Sequence, residues 1–165
     1  MSDKFYAQPY AQPYAFDAKG FYFSTFEEYQ ENYNAGLPMV EEYELQAIDC
    51  EHAALFDAII NQSNIEQWFD EINLLSDYDK LKLFYLYKMG GYAGSLDAAL
   101  SKIDDCMIFE GTERDYCIEL FDELDMPNIP EQYHNYIDYD AVVADYRHDI
   151  VEFDYNGTTY CAECN

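Results

Sequence analysis

With 34 acidic side chains against 8 Lys and Arg in 165 residues, the chain carries a formal net charge of -26, far past the magnitude of about 2–8 that keeps a small domain soluble. Nucleic acid and anionic membrane are excluded as partners because both repel such a surface, and a basic surface is its natural counterpart. Disorder is excluded by content: half of the residues are hydrophobic, and 18 Tyr and 11 Phe supply rings whose burial offsets the entropy of ordering.

The first segment holds a tandem tetrapeptide, Tyr6-Ala7-Gln8-Pro9 and Tyr10-Ala11-Gln12-Pro13, whose prolines predict an edge strand or an extended loop. Gly20 to Phe23 reads as a short strand. Ser24 with Glu27 three residues on has the form of a capping box, and Phe26, Tyr29 and Tyr33 give the following helix an apolar side. That helix should end within Asn34 to Pro38. Val40 to Ile48 alternates in part, with Tyr43, Leu45 and Ala47 on one face and polar residues largely on the other, and predicts a strand. These pieces form a small sheet covered by one helix.

A helical middle follows. Leu55, Phe56, Ile59 and Ile60 mark one helix; Ser63 and Glu66 propose a capped second one with Ile65, Trp68, Phe69 and Ile72 inside. Ser76 starts a third helix, which carries Lys80, Lys82 and Lys88 and stops at Gly90-Gly91. A short fourth spans Ser95 to Ile103. Cys106 to Glu110 then reads as a strand. From Thr112 to Asp125 a helix places Tyr116, Cys117, Leu120, Phe121 and Leu124 on one side and Asp115, Glu119, Asp122 and Glu123 on the other. Asp138 caps a helix over AVVADYRH, and Asn156-Gly157 closes a type I′ hairpin between Val151–Tyr155 and Thr158–Cys161. The order is β-β-α-β, then helices, then β-α-α-β-β: an α+β fold.

Sites of chemistry are scarce. Cys161-x-x-Cys164 has zinc spacing but no second pair, since Cys106 and Cys117 have ten residues between them and no neighbouring histidine. It reads as an ordinary terminal strand whose last cysteine frays into solvent. Asp77-Tyr78-Asp79 and Asp138-Tyr139-Asp140 begin like calcium loops yet lack the later ligands and the glycine, and read as helix starts. His52, His134 and His148 fall in no catalytic signature, so neither an enzyme, a metal nor a cofactor is expected. No apolar run reaches the roughly 18 residues of a membrane span, and the N-terminus has no signal-peptide core. A cytoplasmic protein is expected, its five cysteines, odd in number and mostly in apolar surroundings, fitting buried free thiols in a reducing compartment.

The charge itself remains as the functional feature. B-DNA carries one negative charge per roughly 1.7 Å of axis, so 26 net charges correspond to about 44 Å of duplex, roughly 13 base pairs. The carboxylates expected to stand in for phosphates are densest at Asp104, Asp105, Glu110, Glu113, Asp115, Glu119, Asp122, Glu123 and Asp125. They continue through Glu131, Asp138, Asp140, Asp145 and Asp149, and include Glu66 and Asp70 in the helical middle and Glu27, Glu28 and Glu31 near the N-terminus.

Ile129-Pro130-Glu131 and Tyr136-Ile137-Asp138-Tyr139-Asp140-Ala141, leading into a helix and a final hairpin, resemble the ArdA-type antirestriction proteins of phages and mobile elements. Phe5 to Tyr10, Gly20 to Phe23 with Glu27-Glu28, and Glu41 to Gln46 with Ile48-Asp49 are similar to the same family. The doubled Tyr-Ala-Gln-Pro unit departs from its pattern, as does Ala144 before Asp145, where many relatives have a basic residue. The resemblance implies a DNA mimic, elongated and curved, of three small domains at 1–61 (sheet plus helix), 62–103 (helical) and 104–165 (α+β). It implies a homodimer formed through the C-terminal part, acting in the bacterial host on the methyltransferase core of type I restriction-modification enzymes. The competing expectation is an acidic inhibitor of the immunity or anti-CRISPR kind, which blocks one nucleic-acid-binding defence complex through a hot-spot interface.

Overall fold

Phe5, Ala7 and Pro9 alternate with Lys4, Tyr6 and Gln8, and this period of two builds β1 (Lys4–Pro9) with its odd-numbered side chains buried. The computed structural model describes residues 3–10, 18–35 and 40–164. β1 is the central strand, between β2 (Phe21–Phe23) and β3 (Tyr43–Asp49), antiparallel to both. The expected edge position is thereby corrected. Pro9 is the last residue of the strand, where its missing N–H interrupts no ladder, and Tyr10 N resumes the pairing by donating to Glu42 O at 3.1 Å. The second tetrapeptide copy runs from Tyr10 into residues outside those described. Gly20 has a packing reason: a Cβ there would lie 2.5 Å from the Ala7 carbonyl oxygen.

Contacts divide the chain into two compact units, Met1–Lys80 and Leu81–Asn165. In the first, α1 (Phe26–Ala35), α2 (Ala53–Ile59) and α3 (Ile65–Asp70) accompany the sheet. Its core is aromatic. Phe5 stacks on Phe56 at 4.5 Å and on Phe23 at 5.5 Å, and Phe56 meets Trp68 edge-on at 5.0 Å. All four are essentially inaccessible, as are Leu55 and Ile72. Two expected caps move by one residue. Thr25, not Ser24, caps α1: its hydroxyl accepts from Glu28 N at 3.2 Å, while the Glu28 carboxylate takes Ser24 N at 2.7 Å. Asn64, not Ser63, precedes α3, and its side chain serves the preceding turn by accepting from Asn61 N. Ser76 does start α4 (Asp77–Lys88), accepting from Asp79 N at 3.1 Å.

The second unit contains α5 (Leu96–Leu100), β4 (Cys106–Glu110), α6 (Glu113–Leu124), α7 (Tyr139–Tyr146), β5 (Ile150–Tyr155) and β6 (Thr158–Cys164). Its sheet has the order β4-β6-β5, so β4 and β5 are the outer strands. β5 and β6 are closed by Asn156 and Gly157 at φ 49° and 81°, the two left-handed residues that a type I′ turn demands, with Tyr155 opposite Thr158. The apolar side of α6 brings Tyr116 and Cys117 onto Ile150 and Cys161, with Phe109, Leu120, Val143 and Tyr146 around them. Leu124, expected on that side, is largely exposed because it lies in the final turn of the helix.

Two of the five cysteines correct the expectation of free thiols. Cys106 and Cys164 are opposite one another in the β4–β6 register and form a disulfide, so the last cysteine is held in the sheet instead of fraying. Cys117 and Cys161 are free and buried, and Cys50 is free and half-buried. Burial pushes the Cys161 thiol up to about 12 and Cys50 to about 11, so both stay protonated and unreactive at neutral pH.

Candidate partner-binding surface

The expected carboxylates fall on solvated positions of both units. Glu27, Glu28 and Glu31 lie on α1 and Glu66 and Asp70 on α3; Asp104 and Asp105 end the turn before β4 and Glu110 ends that strand. Glu113, Asp115, Glu119, Asp122 and Glu123 belong to α6, with Asp125 at its C-cap. Glu131 opens the 3-10 stretch Glu131–Tyr136, Asp138 caps α7, Asp140 and Asp145 lie on it, and Asp149 precedes β5. All are exposed except Glu113, which points to the inner side of α6 and is half-buried.

They divide by employment. Asp138 accepts from the backbone N–H groups of Asp140 and Ala141, Arg114 Nη1 holds Asp140 at 2.6 Å, Arg147 Nε lies 3.7 Å from Glu113, and the Tyr146 hydroxyl donates to Asp125. The first is the cap of α7 itself, and the other three tie α7 and its C-terminal turn to α6. Lys102 Nζ takes Asp105 at 2.8 Å. Among the described residues Glu27, Glu31, Glu66, Asp70, Asp104, Glu110, Glu119, Asp122, Glu123, Glu131, Asp145 and Asp149 have no hydrogen-bond or ion-pair partner. They are carboxylates with no structural task.

Positive charge is withdrawn from the same surface. Lys80 and Lys82 are buried, Lys4 sits 4.7 Å from the Tyr22 ring, and Lys102, Arg114 and Arg147 are engaged as above. Lys19 and Lys88 are left as exposed cations without a partner among the described residues. On α6, Asp115, Glu119, Asp122 and Glu123 share a stripe about 100° wide and about 12 Å long. A single DNA strand carries one phosphate per about 3.4 Å of axis, three or four in that length.

The stripe begins at a capping box. Thr112 Oγ1 accepts from Asp115 N and donates to the Asp115 carboxylate at 2.6 Å, and Thr112 N donates to it at 3.2 Å. The Thr112 hydroxyl, then the Thr112 N–H, hold the Asp115 carboxyl below its ordinary value. The contribution of this contact is therefore present above the unfolded-state value and lost as pH falls through the folded one. An NMR titration should find Asp115 protonating at lower pH than a free carboxyl, and Thr112→Ala should return it toward the ordinary range; an unchanged titration midpoint would refute the assignment.

Sequence reasoning missed a further acidic concavity of about 700 Å³ in the first unit, bordered by Tyr10, Glu41, Glu42, Glu44 and Asp57. The run Glu41-Glu42-Tyr43-Glu44 was its signal, and Asp57 joins because it accepts from Ala47 N at 2.9 Å. Among the described residues no group of three or more His, Cys, Asp or Glu is placed to hold a metal ion, and no helix is long and apolar enough to cross a membrane.

The family description "Antirestriction protein (ArdA)" matches residues 6–159. This chain belongs to the ArdA family of antirestriction proteins. Membership gives it the family's antirestriction role, that of an inhibitor of restriction. No curated protein and no solved structure matches the chain.

Proposed function

We propose that this ArdA protein inhibits type I restriction-modification enzymes by occupying, as a mimic of DNA, the groove in which their methyltransferase core grips duplex. The observation that carries this reading is the separation of charge: carboxylates without a structural task stand exposed while most cations are buried or neutralised. The α6 stripe adds spacing, since it offers about as many charges per unit length as one strand of DNA. Lys and Arg that hold phosphates in the target pair with these groups instead, and counterion release makes the association steeply salt-dependent. A homodimer doubles the length of duplex that is imitated.

Competition tests the reading. Inhibition of DNA methylation by a type I enzyme is measured as unrelated duplex and salt are added in turn. Excess duplex of any sequence should displace the inhibitor, and potency should fall steeply between 50 and 200 mM salt, about the range over which phosphate-binding proteins lose most of their affinity. Simultaneous binding of inhibitor and duplex would overturn mimicry and favour a site-specific blocker.

A further inference from the structure

Residues 111–165 hold fourteen acidic side chains and two basic ones, Arg114 and Arg147, which are also the only arginines of the chain. Both are exposed, and on a surface that attracts a cationic partner each works against the attraction. Their placement is reciprocal. Arg114, in the first turn of α6, brings Nη1 to 2.6 Å from the carboxylate of Asp140 in the first turn of α7. Arg147, at the C-cap of α7, has Nε 3.7 Å from the carboxylate of Glu113 at the start of α6. Each helix thus offers one guanidinium to a carboxylate of the other.

The apolar hold on α7 is thin. None of its residues is fully buried. Val143 and Tyr146 pack half-buried against the α6 core, and Phe121 is met edge-on by Tyr139 and Tyr146, both at 6.2 Å. Carboxylates on both helices repel one another across that contact. A guanidinium is always charged and presents its donors in a rigid fork, so it fixes direction as well as cancelling charge. We propose that Arg114 and Arg147 are positioning residues of the inhibitor, holding α7 on α6 so that the unpartnered Asp145 and Asp149 stand at a fixed place relative to Glu119, Asp122 and Glu123 and the partner meets both sets together. The proposal rests on the reading of this protein as an inhibitor that binds a basic protein surface, and makes arrangement, beside total charge, a determinant of its potency.

The test has two arms. In the first, inhibition of DNA methylation by a type I enzyme is compared for Arg114→Gln and Lys88→Gln. Each removes one exposed cation and makes the chain more negative by one, but Lys88 lies on α4 and has no partner among the described residues. If total charge alone governed potency, both would inhibit at least as well as the unaltered chain. Instead Arg114→Gln should weaken inhibition about fivefold, the loss of roughly two exposed charge contacts, while Lys88→Gln stays within about twofold. Arg147→Gln should weaken it in the same direction. Arg114→Asp combined with Asp140→Arg reverses the pair at unchanged net charge and should restore potency to within about twofold. Urea unfolding of Arg114→Gln should match that of the unaltered chain, because an exposed pair adds little to stability.

In the second arm, residual dipolar couplings of the backbone amides of α6 and α7, measured on the full chain, report the angle between the helices. That angle should change in Arg114→Gln, stay in Lys88→Gln and return in the reversed pair. An unchanged angle, equal potency of Arg114→Gln and Lys88→Gln, or a reversed pair as weak as Arg114→Gln overturns the proposal and leaves the functional reading standing. An unaltered chain that does not inhibit overturns that reading and the proposal with it.

Discussion

Replacing Glu119, Asp122 and Glu123 together by Lys should weaken inhibition about 100-fold, whereas neutralising any one of them should cost about twofold. All three are exposed and unpartnered, so the helix keeps its packing. An exposed charge pair contributes about 0.2–1 kcal/mol, and reversal exchanges an attraction for a repulsion of similar size. Three reversals then amount to about 3 kcal/mol, and about 1.4 kcal/mol corresponds to each factor of ten. The slope of inhibition against salt should flatten in the same variant. A single neutralisation that abolished inhibition, beside a tolerated triple reversal, would show that one contact and not an array does the binding.

Phe56→Ala should destabilise the first unit by about 3–5 kcal/mol, the usual cost of emptying a buried aromatic site. Phe56 is inaccessible, stacked on Phe5 and edge-on to Trp68. A domain's entire stability is about 5–15 kcal/mol, and mutual repulsion among the carboxylates lowers the margin here. Trp68 is the sole tryptophan and stays in place, so its fluorescence reports unfolding in urea. Moderate salt should recover part of the loss by screening the repulsion. A loss under about 1 kcal/mol would mean that the ring cluster does not hold this unit together.

Local features were the legible ones. Asn156-Gly157 specified its turn because few residue pairs accept two consecutive left-handed conformations, and the Thr112–Asp125 helix was marked by its apolar period, its capping box coming to light only in the structure. The first helix cap was degenerate in sequence: Ser24 with Glu27 and Thr25 with Glu28 have the same form, and only the path of the chain selects between them. Pairings across long separations were hidden. Nothing near Pro9 says that both sides of β1 are occupied, and Cys106 finds Cys164 only because β4 and β6 are neighbours in the sheet. The same holds for the surface. That carboxylates are exposed follows from their chemistry, but which of them Arg114 and Arg147 neutralise depends on how α7 lies on α6.

The two outer strands of the second unit's sheet carry a consequence for handling the protein. Unpaired strand edges invite other copies to add on and polymerise. Here Glu110 on β4 and Glu152 and Asp154 on β5 are exposed, so copies approaching side by side meet like charge. Electrolyte therefore acts in opposite directions, steadying each molecule while disarming the gatekeepers between molecules.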